Sequence, residues 1–164
     1  MTSPVRVGIG FDIHRLVEGR RLVLAGVEVP HSRGALAHSD GDVVLHAVAD
    51  AILGAAGLGD LGEHFPDTDP AWNNAASAGI LGRVVKMARQ AGFAPASVDV
   101  NVLLEQPKLG VHKEAMRRRL AELLGVAPHA VGLKARTMEG LGPIGAGDAV
   151  AAQAVVVLAP HREA

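Results

Sequence analysis

Asp12, His14 and His46 are three side chains that could share one metal ion. Asp12 and His14 follow residues 5–9, whose alternating pattern predicts a half-buried strand. Residues two apart on a strand point the same way, so both side chains can face one ion. With His46 as a third ligand, the set is one carboxylate and two imidazoles, which suits zinc with one position open for catalysis. Chance is the alternative, because Asp-x-His occurs in many unrelated proteins.

His46 also belongs to a polar stripe on a predicted helix. Asp42, His46 and Asp50 are spaced four residues apart, so they share one helix face. Buried charges are costly unless they are paired or bound to metal. The stripe therefore predicts His46 as a ligand, with Asp42 or Asp50 orienting its second ring nitrogen. A stripe facing water is the alternative. Ser39 or Asp40 could cap the helix.

Two further polar clusters could bind a substrate. Glycines at 57, 59 and 62 surround Asp60, which could accept hydroxyl hydrogen bonds from a sugar. Basic residues at Lys108 and within 134–136 lie where predicted strands end, as in a phosphate site, and Glu139 would be a hard oxygen ligand for Mg²⁺ or Mn²⁺. For the glycines around Asp60, the alternative is a plain loop that ends a helix. For the charged residues at the strand ends, the alternative is ordinary surface charge.

Composition restricts the class of protein. A chain of 164 residues with 49% hydrophobic and 2% aromatic residues predicts one domain with an aliphatic core. Cysteine is absent, so a metal must be bound by His, Asp or Glu. The net charge of -1 argues against nucleic-acid binding, and no apolar run reaches the roughly 20 residues of a membrane span. With no signal peptide predicted at the start, we expect a soluble cytoplasmic protein.

The hydrophobic pattern predicts one α/β (α+β) domain over residues 1–164, with helices on one face of a mixed sheet. The glycine pattern at 140–145 is interpreted as a flexible loop, because a dinucleotide-binding motif would continue into a helix. The histidines outside the clusters, except His38, are interpreted as surface residues. The predicted strands are 5–9, 98–104, 131–138 and 149–158, with a hairpin over 21–29; the helices are 42–56, 77–90 and 113–124; and the loops are 34–41 and 65–70.

The last predicted strand, 149–158, is apolar at nearly every position. A strand with one face in water would alternate. Two explanations stay open. The second face packs against sister subunits, or the strand is central and an extended loop covers it.

Several of these segments together resemble the 2-C-methyl-D-erythritol 2,4-cyclodiphosphate synthase family of the non-mevalonate isoprenoid pathway. The resemblance runs over nearly the whole chain, in matching order and spacing. Segments 37–42 and 65–70 are the most specific. The matching segments are 10–14, 37–42 with His46, 59–62, 65–70, 106–108 and 137–142.

The resemblance implies a homotrimer whose sheets pack around the trimer axis, with active sites between neighbouring subunits. Zinc would bind Asp12, His14 and His46, and Glu139 would bind Mg²⁺ or Mn²⁺ between the phosphates of a cytidine diphosphate substrate. Asp60 would bind the ribose. The implied catalytic residues are His38, Asp42 and Thr137; the implied substrate contacts are Ser39, Asp60, Gly62, Asp67, Leu104, Lys108, Leu109, Ala135, Arg136 and Thr137.

The implied reaction needs no protein nucleophile. The substrate's own 2-phosphate attacks the β-phosphorus of its cytidine diphosphate arm, CMP leaves, and a cyclic diphosphate forms. Catalysis is then positioning and charge neutralisation. Two alternatives stay open: a metal-dependent phosphohydrolase that uses water, and a non-enzymatic trimeric scaffold. Ala146 replaces an arginine of many members, so an anionic isoprenoid in the trimer channel is not expected.

Overall fold

A five-stranded mixed sheet lies at the centre of the chain, in the order β4-β1-β7-β5-β6. Strands β5 and β6 are parallel, the other neighbours in this sheet are antiparallel, and β2 and β3 form a separate hairpin. The computed structural model describes residues 4–73 and 75–161. The strands are β1 (Arg6–Glu18), β2 (Leu22–Leu24), β3 (Val27–Val29), β4 (Arg33–Ala35), β5 (Phe93–Leu103), β6 (Val131–Arg136) and β7 (Ala149–Pro160).

The long helices cover one face of this sheet, so the predicted fold class is confirmed. The first long helix contacts β1 and β7, the second contacts β5, and the third contacts β6. Within the described residues, no helix is both long and apolar enough to cross a membrane. The helices are α1 (Val43–Ala56), α2 (Leu61–His64), α3 (Ser77–Gln90), α4 (Lys113–Leu124) and α5 (Gly142–Gly145), with short 3-10 turns at Pro70–Trp72 and Pro128–Ala130.

Strand boundaries differ from the sequence pattern where tertiary pairing overrides it. β1 was expected to end at residue 9, but it continues to Glu18 because it pairs first with β7 and then with β4. The expected loop 34–41 accordingly begins inside β4. β6 ends at Arg136, two residues earlier than expected, which leaves Thr137 and Met138 in the following loop. The expected loop 140–145 contains the helical turn α5.

Alternation along β1 decides which side chains meet helix α1. Gly8, Gly10, Asp12 and His14 point towards the helix, while the residues between them are exposed. A Cβ atom on Gly10 would lie 1.9 Å from the carbonyl oxygen of Ala47. The glycines therefore let α1 lie directly on the strand, and this close approach brings the helix to the two potential ligands of β1.

Gly10→Ala should destabilise the protein, because the new methyl group would collide with the backbone of α1. Over-packing of this kind costs about 1–3 kcal/mol or more, and moving α1 should also weaken metal binding. Urea denaturation and metal content would measure both effects. The matched control is Gly54→Ala on the exposed side of α1, where a Cβ meets nothing within 4 Å. A Gly10→Ala protein as stable as the wild type would contradict the account.

The outer face of the sheet is apolar and exposed in the single chain. Val7, Ile9 and Phe11 of β1 are 65%, 67% and 55% exposed. β7 is half covered on this side, because α5 places Ile144 against Ala149 while other positions remain open. α5 and its loop cover one end of β7, as one explanation of the apolar last strand expects. The other end is exposed in the single chain, and packing against sister subunits stays a prediction there. Soluble monomers rarely expose so large an apolar patch.

Candidate metal centre and substrate pocket

Asp12, His14 and His46 form one compact group, here called the metal cluster. Asp12 Oδ2 lies 3.0 Å from His14 Nε2 and 2.9 Å from His46 Nδ1. The two imidazole nitrogens lie 3.5 Å apart. β1 supplies the first two side chains on one face, and α1 supplies the third. The prediction that a strand pair and a helical histidine converge is confirmed.

The spacing and chemistry of the metal cluster fit zinc. Tetrahedral zinc with ligands at about 2.0–2.1 Å needs ligand atoms roughly 3.3 Å apart, and the observed separations bracket that value. One carboxylate and two imidazoles leave a fourth position for another ligand. The side chains are 15–24% exposed, so this position can be reached from solvent.

The electrostatics of the metal cluster favour a cation. Burial raises the pKa of the Asp12 carboxyl, but hydrogen bonds and positive charge from His14 and His46 outweigh it and hold the pKa well below its usual range. Burial lowers the pKa of His46, but the hydrogen bond and charge of Asp12 outweigh it and raise the pKa. A metal ion in this cluster would compete with a proton for His46 Nδ1, which lies 2.9 Å from Asp12 Oδ2. A metal must displace this proton, so metal affinity should rise with pH.

The second ring nitrogen of His46 meets serines and neither of the predicted acids. Ser77 Oγ lies 2.8 Å and Ser39 Oγ 3.3 Å from His46 Nε2. The Asp50 carboxylate instead accepts a hydrogen bond from the Leu61 amide at 3.0 Å. The prediction that Asp42 or Asp50 orients His46 is wrong, because residues one turn apart on a helix share a face without bringing every side chain into contact.

Asp42 is a buried structural residue. One carboxylate oxygen accepts the amides of Val44 and Leu45 at the start of α1, and the two oxygens also accept those of Ala25 and Gly26 at the hairpin turn. Burial raises the pKa of this carboxyl to about 6. The side chain is fully buried and its oxygens are occupied by backbone donors, which supports a structural role; the catalytic role of Asp42 stays a prediction that no contact in the described residues supports. Asp42 joins the hairpin to the helix that carries His46.

A cavity of about 760 Å³ opens beside the metal cluster. Aromatic side chains form part of its wall, where Phe65 and Trp72 meet edge to face with ring centroids 4.9 Å apart. Asp60 also caps α2, since its carboxylate accepts the Glu63 amide at 3.0 Å. The predicted site residues in the cavity wall, besides the metal cluster, are His38, Ser39, Asp60, Gly62 and Asp67.

The other predicted contacts lie across the sheet from the metal cluster. Asp12 on β1 is in register with Ala152, Val102 and Ala135 on the successive strands β7, β5 and β6. Strands about 4.8 Å apart place Ala135 roughly 14 Å from Asp12. The structure therefore does not bring the two groups together within one chain. The contacts on this side, here called the nucleotide group, are Leu104, Lys108, Leu109, Ala135, Arg136, Thr137 and Glu139.

The side chains of the nucleotide group differ in how accessible they are to a ligand. The side chains of Leu104 and Leu109 are buried in the core, so only their backbone could meet a ligand. Lys108, Arg136 and Glu139 are exposed. Thr137 Oγ1 donates to Glu139 Oε1 at 3.4 Å, in the loop that follows β6.

Sequence reasoning missed Asp40 and Ser77 as neighbours of the metal cluster. The Ser77 hydroxyl donates to Asp40 Oδ1, and the Ser77 amide donates to Asp40 Oδ2 at 3.1 Å. Their separation of 37 residues gives no spacing signal. The only sequence signal is that Ser77 starts a predicted helix. His64 was also misjudged as a surface residue: it is half-buried, and its Nε2 lies 2.6 Å from the Leu58 carbonyl oxygen, as a hydrogen-bond donor.

Comparison with known proteins gives one consistent result. The family model described as the YgbB family matches residues 5–159. A 2-C-methyl-D-erythritol 2,4-cyclodiphosphate synthase of Salinibacter ruber is 56% identical, over 94% of this chain and 98% of the relative. The family resemblance seen in the sequence is confirmed.

Solved structures agree with the sequence relatives. A 2C-methyl-D-erythritol-2,4-cyclodiphosphate synthase in its CDP-bound form has a TM-score of 0.87 and 43% identity, over 93% of this chain and 99% of that chain. The bifunctional IspDF from Campylobacter jejuni has a TM-score of 0.92 and 42% identity, over 96% of this chain. This chain spans 42% of that longer protein.

Proposed function

The chain belongs to the YgbB family, and from this membership we propose that it converts 4-diphosphocytidyl-2-C-methyl-D-erythritol 2-phosphate to 2-C-methyl-D-erythritol 2,4-cyclodiphosphate and CMP. The observation that carries the proposal is the metal cluster in the wall of a cavity large enough for a small phosphorylated substrate. The expected compartment is the cytoplasm, on the sequence argument alone.

The reaction joins two parts of one substrate. An oxygen of the 2-phosphate forms a bond to the β-phosphorus, and the bond from the β-phosphorus to the bridging oxygen of CMP breaks. CMP leaves with that oxygen and its electron pair. Holding the two phosphates in line is the main task of the protein, because intramolecular attack gains its rate from orientation. The cavity wall supplies this restraint, with Ser39 and Asp67 proposed to bind the erythritol phosphate.

We assign zinc to the metal cluster. When bound, zinc supplies Lewis-acid charge that neutralises the attacked phosphate. Asp12, His14 and His46 would hold the ion, and a set of one carboxylate and two imidazoles would leave room for a substrate ligand. His38 is exposed on the cavity wall, and His38 and Thr137 are the side chains proposed to stabilise charge in the transition state.

A complete site requires a neighbouring subunit. Within one chain, the nucleotide group lies roughly 14 Å across the sheet from the metal cluster. The two phosphates of one diphosphate are too close together to contact both groups at that distance. The exposed apolar outer face of the sheet offers a surface for self-association. We therefore propose a homotrimer in which one chain supplies the metal cluster and the next supplies the nucleotide group.

Glu139→Gln should weaken the proposed second metal site while zinc remains bound. Glu139 is exposed, and a carboxylate binds Mg²⁺ or Mn²⁺ far better than an amide of the same size. The concentration of Mg²⁺ needed for half-maximal turnover should rise about tenfold or more, a loss of roughly 1.4 kcal/mol in binding. Glu122→Gln, on the exposed side of α4, is the control. An unchanged magnesium requirement would exclude this role of Glu139.

The test of the proposed function is release of CMP from the cytidylylated substrate. Purified protein with zinc and magnesium should release CMP, a strong chelator should stop the release, and zinc should restore it. A non-enzymatic scaffold would fold and assemble normally but release no CMP. No CMP from metal-loaded protein would overturn the proposal.

A further inference from the structure

Ser77 is a buried serine that lies between the metal cluster and an acid. It is the first residue of α3 and is 1% exposed. Its Oγ lies 2.8 Å from His46 Nε2, the ring nitrogen that faces away from the metal cluster, and its hydroxyl contacts Asp40 Oδ1. These contacts form a chain from the metal cluster to Asp40 through His46 and Ser77.

The direction of each hydrogen bond in this chain follows from the chemistry of the groups. An ionised carboxylate only accepts, so the Ser77 hydroxyl donates to Asp40. The lone pairs of Ser77 Oγ then face His46 Nε2, so Nε2 must carry the proton. A neutral imidazole with a proton on Nε2 has its free lone pair on Nδ1. Nδ1 is the atom that lies 2.9 Å from Asp12 Oδ2 in the metal cluster.

We propose that Ser77, held by Asp40, is a positioning residue that selects the metal-binding tautomer of His46 and fixes the orientation of its ring. This inference rests on the proposed zinc site. Metal-bound histidines commonly donate their other ring N–H to a carboxylate, carbonyl or water, and loss of such a partner costs about 10–100-fold in metal affinity or activity. Here the Ser77 hydroxyl, on α3, is the partner of His46, on α1, and the Asp40 carboxylate orients that hydroxyl.

Ser39 has a smaller share in this role. Its Oγ lies 3.3 Å from His46 Nε2 and also accepts the Gly41 amide at 3.1 Å. Ser77 lies closer to the ring and contacts a carboxylate, which makes its hydroxyl a better acceptor. Ser39 also lines the cavity, so its substitution would mix metal and substrate effects.

A purely structural role of Ser77 and Asp40 can be separated by experiment from the positioning role. Asp40 joins the loop before α1 to α3 through the Ser77 amide, at 3.1 Å, and this bond does not use the Ser77 hydroxyl. Ser77→Ala therefore keeps the bond that holds the helix start and removes the contact with His46. If the hydroxyl only stabilised the fold, the variant would unfold more easily but bind zinc with unchanged affinity.

The experiment is a zinc titration of full-length metal-free protein in competition with a chromophoric chelator. We expect Ser77→Ala to bind zinc about 10–100-fold more weakly than the wild type. In zinc-loaded wild-type protein, nitrogen-15 NMR should show His46 Nε2 protonated and hydrogen-bonded, and this signature should be lost in Ser77→Ala. Ser97→Ala, in β5 and outside the cavity wall, is the control for loss of a serine hydroxyl. Asp40→Asn alone should weaken zinc binding. Added to Ser77→Ala, it should cause little further loss of zinc affinity.

The outcomes separate this inference from the metal site itself. Zinc affinity in Ser77→Ala equal to the wild type would overturn the positioning role and leave the zinc site standing. Failure of the wild type to bind zinc, or full zinc binding by His46→Ala, would overturn the proposed zinc site instead. If Ser77→Ala does not fold, Ser77→Cys keeps the side-chain volume with a poor acceptor, and its zinc affinity decides the question in the same way.

Discussion

His46→Ala should remove zinc from the protein and reduce turnover by about a thousandfold or more. His46 is the only one of the three ligands on α1, and its Nδ1 lies 2.9 Å from Asp12 Oδ2. A Lewis-acid metal contributes several kcal/mol of transition-state stabilisation, and 1.36 kcal/mol corresponds to tenfold in rate. The fold should survive, because Asp42 and the apolar side chains of α1 hold the helix in place.

Elemental analysis of the purified protein and an assay of CMP release measure the two effects of His46→Ala. Circular dichroism and the unfolding temperature establish that the variant is folded. His129→Ala is the matched control, since His129 is an exposed histidine on a 3-10 turn outside the cavity wall. Full zinc content and full activity in His46→Ala would contradict the assignment.

If the chain forms the proposed homotrimer, mixed trimers of two inactive variants should recover about a quarter of the wild-type sites. His46→Ala damages the metal cluster, and Glu139→Ala damages the nucleotide group. If each site takes its metal cluster from one chain and its nucleotide group from the next, each part is intact with probability one half after random assortment. In a closed cyclic trimer, about one site in four then combines two intact parts.

The mixing experiment requires proven exchange of subunits. The two variants are unfolded together, refolded at equal concentration, and carry different affinity tags so that mixed trimers can be isolated. Each variant refolded alone should stay inactive. Sites contained within one chain could not recover by mixing, so mixed trimers as inactive as their parents would refute the shared site.

The common orientation of Asp12 and His14 could be predicted because it depends only on local strand geometry. Asp12 and His14 are two residues apart on a strand, and strand geometry alone places them on one side. Placing His46 beside them needed the close approach of α1 to β1, which Gly10 permits. The structure places the three predicted residues together, and their assignment to zinc stays a proposal.

Other neighbours of the site could not be predicted because they depend on long-range packing. Ser77 reaches His46 only when α3 packs beside α1, and no local spacing relates two residues 31 positions apart. Asp42 was misjudged for the opposite reason: helical periodicity places it on the stripe of His46, but as the residue before the first turn it accepts backbone amides instead. The predicted strand ends were wrong where pairing with a distant strand made the strand longer or shorter than its hydrophobic pattern.

Ring closure in water labelled with heavy oxygen tests the central claim most directly. If the 2-phosphate of the substrate attacks the β-phosphorus, the product should be a cyclic diphosphate, and neither this product nor CMP should contain heavy oxygen. Mass spectrometry and phosphorus NMR would detect both. A metal-dependent phosphohydrolase would instead give an open-chain bisphosphate, heavier by one water, and one heavy oxygen atom would appear in a product. That result would contradict the account.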